Sequence, residues 1–301
     1  MDIVQNSRKI AAVVVTYNRK KLLMKNIQAL LAQTCKNVLD ILIIDNASTD
    51  GTYEAIESLI ESKKILYFNT HKNLGGAGGF NFGMIKAAEL NYKYMWIMDD
   101  DTIPTPTALE ALLNVDSKLK GDYGFLSSKV LWKDNSICKM NIQKITKWRR
   151  IVNFKHITDI QYASFVSLFV PTKVVREVGL PYKEFFIWSD DWEYTRRISK
   201  RFICKYVPNS IVNHWSKSNV GADIVDAPVD RIDRFKYLFR NDVVLYRLDG
   251  LEGKVYLNLR IVKYIVKILL KGEHKRQKLS IMFSALKEGK KFYPKIDYVK
   301  D

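Results

Sequence analysis

The chain has 301 residues, of which 47% are apolar and 27% are charged. These proportions are typical of folded globular proteins and exclude a wholly disordered chain. The 49 Lys and Arg residues outnumber the 32 Asp and Glu residues, which gives a formal charge of +17. An excess of this size favours anionic partners, namely nucleic acid, nucleotide phosphates or an acidic membrane surface.

Cysteine usage and hydropathy narrow the class of protein further. Cys35, Cys138 and Cys204 are far apart and odd in number, so neither a disulfide framework nor a zinc finger is expected. This usage favours a reducing cytoplasm. Residues 1–10 are polar and lead directly into a strand pattern, which predicts that no signal peptide is present. No uncharged apolar run reaches the roughly 18 residues that would cross a bilayer.

The first hundred residues alternate between strand and helix patterns. The strands are predicted at 10–15, 40–44, 64–69 and 94–98, and the helices at 20–33, 52–62 and 79–90. This alternation predicts right-handed βαβ units and an α/β fold with a mainly parallel sheet flanked by helices. In such sheets ligands bind beyond the carboxyl ends of the strands, where the polar clusters of this sequence lie.

Beyond residue 107 the pattern is less regular. Helices are predicted at 107–119, 173–179 and 192–202, and strands at 125–132, 164–170 and 203–207, followed by a segment at 211–217. From about residue 225 the chain is helical and basic to its end. We therefore expect a catalytic domain over residues 1–224 and a basic helical region over 225–301. The domain would have a nucleotide-binding half to about residue 102 and an acceptor half from about 103 to 224.

The strongest chemical feature is the run Asp99, Asp100 and Asp101 at the end of the fourth strand. Three adjacent carboxylates stay ionised together most easily with a cation between them. Their hard oxygen ligands suit Mg²⁺ or Mn²⁺, shared with substrate phosphates. A solvated acidic turn is the alternative, but an apolar strand that delivers three aspartates to the ligand-binding edge favours the metal.

A second acidic pair, Asp190 and Asp191, lies among bulky aromatic residues. Partial desolvation raises the basicity of a carboxylate, which predicts a general base here. Alternatively, one of the two aspartates caps the helix that follows, and both roles are compatible. His214 stands alone in the sequence, and a lone histidine is more often structural than a ligand.

A glycine-rich cluster follows the third strand, with Asn73 ahead of Gly75, Gly76, Gly78 and Gly79. The glycines permit unusual backbone geometry and a close approach by a ligand. The N-terminus of the next helix favours phosphate. The cluster is not a dinucleotide fingerprint, because it follows the third strand and lacks the G-x-G-x-x-G spacing, and no P-loop lysine is present.

Together these features resemble the family-2 inverting glycosyltransferases, which have the GT-A fold. The matching motifs are VVVTYNR at 13–19, IIDNASTDG at 43–51 and the aspartate triplet. They occur in the order and spacing of the family, and the resemblance covers residues 10–217.

Within that family, segments 73–80 and 188–194 are most similar to bacterial galactofuranosyltransferases, which use UDP-galactofuranose. The acidic motif of those enzymes is usually Trp-Asp-Asp, whereas Ser189 separates Trp188 from the pair here. Sugar specificity therefore stays open, and rhamnosyltransferases that use dTDP-rhamnose are the alternative.

The resemblance implies a role for each site residue. Mg²⁺ or Mn²⁺ would be held by Asp101 and His214, Asp191 would be the general base, and Asp190 would orient the acceptor. The metal would neutralise the departing diphosphate, so that direct displacement with inversion needs no protonated leaving group. The nucleotide and sugar of the donor would contact Thr16, Asn18, Arg19, Asp45, Asn73, Gly75, Gly76, Asp99 and Asp100.

The resemblance implies transfer of galactofuranose to a glycan or lipid-linked glycan acceptor in bacterial cell-surface polysaccharide synthesis. Two other classes of protein are the alternatives. A nucleic-acid-binding protein would explain the charge, but no nucleic-acid module is present, so no nucleic acid is expected as partner. A nucleotidyltransferase would carry a glycine-rich basic loop after its first strand, where this chain has residues 16–19 instead.

The C-terminal segment 254–301 holds thirteen Lys and Arg against four acidic residues, a net charge of +9. Steps of three and four place Arg260, Lys263, Lys267 and Lys271 on one helical face, opposite apolar residues. Such a helix lies in a membrane interface beside anionic lipid, or packs its apolar face on the catalytic domain or on a second subunit. We therefore expect a cytoplasmic enzyme, held on the inner face of the cell membrane or assembled as a homo-oligomer.

Overall fold

The computed structural model describes residues 9–299. Residues 1–8 lie outside this part, and with them most of the segment on which the signal-peptide prediction rests. Residues 300–301 of the basic C-terminal segment also lie outside it. The three cysteines carry free thiols.

Eleven strands and ten α-helices are formed within residues 9–299. The strands are β1 (Ile10–Thr16), β2 (Leu39–Asp45), β3 (Leu66–Asn69), β4 (Tyr94–Asp99), β5 (Thr102–Pro104), β6 (Leu126–Trp132), β7 (Lys144–Thr146), β8 (Arg149–Arg150), β9 (Thr158–Asp159), β10 (Leu168–Pro171) and β11 (Lys205–His214). The helices are α1 (Lys20–Leu31), α2 (Thr52–Glu61), α3 (Gly75–Glu89), α4 (Ala108–Leu119), α5 (Thr172–Val178), α6 (Asp190–Ser199), α7 (Val229–Ile232), α8 (Phe235–Arg247), α9 (Gly250–Lys271) and α10 (Lys275–Lys291).

The first half of the main sheet is parallel, as the sequence predicts, in the order β3-β2-β1-β4. Strand β1 is apolar up to its last residue, Thr16, and it is covered on both faces. Ala11, Val13 and Val15 face the core that contains α3 residues, whereas Ala12 and Val14 face the core under α1 and α2. Buried strands of this kind are typical of parallel sheets flanked by helices.

The second half of the sheet is mixed. Strand β10 is antiparallel to β4 and β6, β6 is parallel to β11, and both β5 and β9 are antiparallel to β11. The segments predicted at 203–207 and 211–217 both contribute to the single strand β11, which covers Lys205–His214 with a register shift between Val207 and Ile211. This strand ends at His214, which pairs with Thr102 and so lies beside the aspartate triplet.

Two helices begin earlier than predicted. Helix α3 starts at Gly75 rather than at residue 79, so the glycines lie inside the helix. Glycine has poor helix propensity, but here it allows close packing on the sheet, since an added Cβ at Gly79 would be 2.6 Å from Val15. Helix α6 starts at Asp190 rather than at 192, which suits acidic residues in a first turn.

Other predicted boundaries were also wrong at the ends of elements. Residues 164–167 precede strand β10 and are not part of it, and residues 292–299 are not helical.

The helices α8, α9 and α10 pack together around a small apolar core of their own, to which Phe239, Ile268 and Met282 contribute. Gly289 of α10 lies against the backbone of Arg240 in α8, an approach that any side chain would prevent.

The expectation that α9 packs its apolar face on the catalytic domain and leaves its basic face in water is wrong. Arg260 donates from Nε to Asp242 at 2.9 Å and Lys267 donates to Asp223 at 2.8 Å, so both cations pair with carboxylates outside the helix. Ile261 and Ile265 pack beside them. The opposite face is apolar and exposed; we call it the outer stripe, formed by Leu251, Val255, Leu259, Val262, Val266, Leu269 and Leu270. No helix within residues 9–299 has the length and apolar character to cross a bilayer.

Candidate active site

The aspartate triplet lies where the carboxyl ends of β1 and β4 meet. The two strands run parallel with Val15 opposite Asp99, so residues 16–19 and 99–101 are neighbours. Thr16 donates its hydroxyl to Asp100 at 2.7 Å. Arg19 donates from Nη1 to Asp100 at 3.3 Å and also contacts Asp101. The triplet is therefore held by side chains of the neighbouring strand end.

Asp99, Asp101 and His214 form a group that could hold a metal ion, with one ligand atom of each lying within 4.8 Å of the others. Nε2 of His214 is 3.2 Å from Oδ1 of Asp101. Two carboxylates and one imidazole form a donor set that suits Mn²⁺, and the carboxylates also suit Mg²⁺. The residues present thus fit a divalent cation.

The orientation of His214 is set by Asn141, a residue that the sequence did not single out. Nδ1 of His214 lies 2.8 Å from Oδ1 of Asn141. The amide of Asn141 is fixed in turn, because its Nδ2 donates to Ser164 at 2.9 Å. Since Oδ1 can only accept, Nδ1 carries the proton, and in the neutral ring Nε2 is left free as a ligand. This is the tautomer that ligation of a metal through Nε2 requires.

The titration of the cluster reflects its crowded negative charge. Burial raises the pKa of Asp99 to about 6 and that of Asp100 to about 7, and the charge of Asp101 adds to both shifts. Burial alone would raise the pKa of Asp101 too, but His214 and Arg19 hold it below its usual value. Although burial opposes it, Asp101 raises the pKa of His214 to about 10. A divalent cation would relieve this repulsion.

Asp190 and Asp191 occupy the first turn of α6 and line one cavity of about 640 Å³ together with Asp99, His214 and Gly76. Burial raises the pKa of Asp190 to about 7, with a further contribution from Asp99. Burial also raises the pKa of Asp191 well above its usual value, and the charge of Asp190 adds to that shift. Both carboxyls are thereby made better proton acceptors once ionised.

The loop before this pair is held by helix α8. Phe186, Trp188 and Ser189 all have positive φ angles near 65°, a conformation that non-glycine residues rarely adopt. The amide of Asn241 donates to the carbonyl oxygens of residues 185, 187 and 188, at 2.9 to 3.1 Å. Fixed in this way, the loop brings the following aspartates into the cavity.

The next residue of α8, Asp242, accepts a 2.7 Å hydrogen bond from the hydroxyl of Ser189 and a 2.9 Å bond from Arg260. Asn241 and Asp242 are both buried. The C-terminal helices therefore build one wall of the cavity. Neither residue is predicted from the sequence, because no local pattern distinguishes them from other polar positions of an amphipathic helix.

The glycine cluster also approaches this loop. Gly75 has a φ of +71°, and an added Cβ would overlap the carbonyl oxygen of Phe186. The amide of Ala77 donates to that same oxygen at 3.2 Å. Gly76 faces open space in the cavity. The first turn of α3 therefore contacts the loop before Asp190 directly.

Three of the residues expected at the nucleotide are engaged in shaping the strand-end loops. Asn18 accepts a hydrogen bond from the amide of Thr49 at 2.7 Å. Asp45 is buried and accepts bonds from the amide of Ser48 and from the hydroxyl of Tyr67, each at 2.8 Å. Asn73 accepts a bond from the amide that begins α3, also at 2.8 Å. These residues lie at the ligand-binding edge, outside the residues that line the large cavity.

Residues 11–123 match the family profile described as Glycosyl transferase family 2. This segment contains β1 to β4 and the aspartate triplet. Over these residues the chain matches the family-2 glycosyltransferases.

Relatives in this family differ in how much of the chain they match. The galactofuranosyltransferase GlfT1 of Mycolicibacterium smegmatis is 33% identical over 104 residues, 35% of this chain and 33% of that protein. GlfT1 of Mycobacterium tuberculosis is 35% identical over 98 residues. The match thus spans about a third of the length of these relatives. An uncharacterized glycosyltransferase of Methanocaldococcus jannaschii is 25% identical over 289 residues, 90% of this chain and 96% of that protein.

Solved structures of two glycosyltransferases share the fold. The mannosyltransferase PcManGT of Pyrobaculum calidifontis, in complex with GDP-Man and Mn²⁺, has a TM-score of 0.60 and 14% identity, covering 94% of this chain and 86% of that one. TarS of S. aureus (residues 1–349), in complex with UDP, has a TM-score of 0.56 and 13% identity, covering 94% and 72%. Together with the family match, these likenesses confirm the GT-A fold expected from the sequence.

Proposed function

We propose that the protein is a metal-dependent inverting glycosyltransferase. It transfers galactofuranose from UDP-galactofuranose to a glycan or lipid-linked glycan acceptor during cell-surface polysaccharide synthesis. The observation that carries the proposal is that a single cavity is lined by two residues of the metal group, Asp99 and His214, and by the pair Asp190 and Asp191. The pKa values of both members of this pair are raised. The partial similarity to GlfT1 supports the choice of sugar.

On the donor side, Asp101 and His214 would hold Mg²⁺ or Mn²⁺, with Asp99 beside them. When bound, the cation neutralises the charge that develops on the departing nucleoside diphosphate. Arg19 and Thr16 hold Asp101 and Asp100 in place through their hydrogen bonds. The nucleotide would lie along the loops that carry Asn18, Asp45, Asn73, Gly75 and Gly76.

On the acceptor side, Asp191 would remove the proton from the attacking hydroxyl while Asp190 orients it. The hydroxyl oxygen attacks the anomeric carbon as the bond to the diphosphate breaks, which inverts the configuration at that carbon. This requires one base and no covalent intermediate. It differs from glycoside hydrolysis, in which two carboxylates act as acid and base or nucleophile on the two sides of the bond.

A donor panel tests the sugar and the reaction class. UDP-galactofuranose, UDP-galactopyranose, UDP-glucose and dTDP-rhamnose would each be incubated with the full chain, Mn²⁺ and simple alkyl glycosides, and released nucleoside diphosphate would be measured. We expect turnover with UDP-galactofuranose. Turnover with dTDP-rhamnose alone would make the protein a rhamnosyltransferase. Release of pyrophosphate from UTP or dTTP supplied with a sugar 1-phosphate, without turnover of any donor in the panel, would place it among the nucleotidyltransferases. No binding of any donor in a calorimeter would overturn the proposal as a whole.

We also propose that the protein attaches to the inner face of the cell membrane through the outer stripe of α9. Leu270 is 75% exposed and Leu259 is 55% exposed, in a helix whose inward cations already have partners. Lys254, Lys263 and Lys271 are exposed near the stripe and would face anionic headgroups. Each cation near such a surface contributes about 1 kcal/mol.

Liposome flotation tests this attachment. Leu259, Val262 and Val266 would be replaced together by Ser, a change that keeps Arg260 and the packing of α9 on α8. Sedimentation of both proteins would be measured in parallel. We expect wild type to float with anionic vesicles at low salt and the variant to remain in the unbound fraction. A wild-type dimer that becomes monomeric in the variant would instead assign the stripe to a homo-oligomer.

A further inference from the structure

The wall of the cavity contains a buried cation, Lys144, that has no role in the proposed reaction. Lys144 lies in strand β7 with 6% of its surface exposed. Its Nζ is 3.6 Å from the centre of the Trp192 ring, the residue that follows Asp191. Within residues 9–299 it forms no ion pair with a carboxylate. A lysine buried to this degree is normally paired, so its position calls for an anion from outside.

Two arginines line the cavity with Lys144. Arg150 lies directly opposite Lys144 in the β7–β8 pair, and its side chain is exposed. Arg260 is bonded to Asp242, whereas Lys144 and Arg150 form no ion pair within the described residues. Burial, followed by the charges of Arg260 and Arg150, lowers the pKa of Lys144 to about 7. A bound anion would restore its charge.

This basic group lies on the Asp191 side of the cavity. The electrostatic neighbours of Lys144 include Asp191 and Asp242, whereas the triplet interacts with Arg19 and His214. The donor diphosphate is accounted for by the triplet and its cation. An anion beside Lys144 would therefore belong to the molecule whose hydroxyl reaches Asp191.

We propose that Lys144, Arg150 and Arg260 form a subsite for a phosphate group carried by the acceptor. This inference rests on the proposed function, since Asp191 defines which side receives the acceptor. Lysine and arginine side chains donate charge-assisted hydrogen bonds to phosphate oxygens, and the aromatic floor of Trp192 keeps the lysine in position. The acceptor would thus be a phosphorylated or diphosphate-linked glycan, anchored by its phosphate while its hydroxyl meets the base.

Calorimetric binding to the full chain tests the subsite with two probes, octyl phosphate and UDP with Mn²⁺. Wild type would be compared with Lys144→Met, which keeps the side-chain bulk, and with Lys155→Met as a control at an exposed lysine of the nearby loop. We expect Lys144→Met to weaken octyl phosphate binding about tenfold or more and to leave UDP binding unchanged. Octyl glucoside, which is neutral, should bind both proteins equally.

A loss of UDP affinity in Lys144→Met would assign the subsite to the donor diphosphate and overturn the proposal. Unchanged binding of octyl phosphate would make Lys144 a packing residue and overturn it as well. Arg150 lies at the surface, so Arg150→Gln should fold normally. This variant must also weaken octyl phosphate binding, by less than Lys144→Met does. Because these measurements need no turnover, failure of the donor panel with intact phosphate binding would reject the glycosyl-transfer proposal alone.

Discussion

The two sides of the cavity are built in different ways. The metal side consists of residues at the ends of adjacent strands, so the parallel pairing of β1 with β4 and the antiparallel pairing of β5 with β11 bring it together. The base side depends on a loop with three positive φ angles, which Asn241 and Asp242 hold from more than fifty residues away. Backbone topology therefore fixes the first side, whereas buried side-chain hydrogen bonds fix the second.

The largest effect is expected on the metal side. Asp101→Asn keeps the size of the side chain but removes the charge that a cation would bind, and it leaves His214 without its carboxylate partner. Because a divalent cation contributes several kcal/mol to such a transition state, we expect turnover to fall about a thousandfold or more. Binding of UDP in the presence of Mn²⁺, measured by calorimetry, should weaken as well.

The exposed carboxyl of Asp122 provides the control for this change, since Asp122→Asn should leave turnover and UDP binding as in wild type. Full activity of wild type in excess chelator would contradict the metal assignment. Full activity of Asp101→Asn with Mn²⁺ would contradict the choice of ligand.

The second expected effect distinguishes the base side of the cavity from the metal side. Asp191→Asn cannot accept a proton, so turnover should fall by about 10² to 10⁴ while UDP binding with Mn²⁺ stays near wild type. Steady-state kinetics and calorimetry on the same preparation measure both quantities. If Asp190→Asn lost this turnover and Asp191→Asn kept it, the base would be the other member of the pair.

The same division explains what could be predicted from the sequence. Strands β1, β2 and β4 are apolar runs that end in polar clusters, and such local patterns predicted the fold and the position of the triplet. Asn141, Lys144 and Asn241 could not be found in this way. They lie in irregular or amphipathic segments, and each acts on residues about fifty or more positions away. Only the folded chain brings them to the site.

Helix boundaries failed for a related reason. Four glycines in five positions disfavour a helix, yet α3 begins among them because packing on β1 and the loop at Phe186 outweighs that intrinsic preference. On α9, periodicity alone could not show which face turns inward. The carboxylates of Asp223 and Asp242 decide it, and they lie outside the helix.

A third, smaller effect tests whether α8 positions the base. Ser189→Ala removes the hydrogen bond to Asp242 and leaves the side chains of Asp190 and Asp191 unchanged. We expect kcat to fall about tenfold with UDP binding unchanged. Asn241→Ala removes the side-chain donor that three carbonyl oxygens share and should also lower the free energy of unfolding by about 1–3 kcal/mol. Chemical denaturation measures this change.

Asn209→Ala, at an exposed position, is the matched control and should alter neither quantity. A purely structural role would lower stability in Asn241→Ala but leave kcat of the folded fraction unchanged. Normal kcat in both Ser189→Ala and Asn241→Ala would therefore show that the loop holds its conformation without α8.

The smallest effect concerns the free energy of unfolding, which the burial of Asp190 lowers at neutral pH. Asp190 has its pKa raised from 3.8 to about 7 in the folded chain. Between these values the folded chain keeps a proton that the unfolded chain has lost, so stability falls as the pH rises from about 4 to 7. Asp190→Asn removes this cost. We expect the variant to match wild type near pH 4 and to exceed it by about 1 kcal/mol or more at pH 7.5. Denaturation in chelator without donor measures the difference, with Asp122→Asn as control, and an equal difference at both pH values would refute the burial argument.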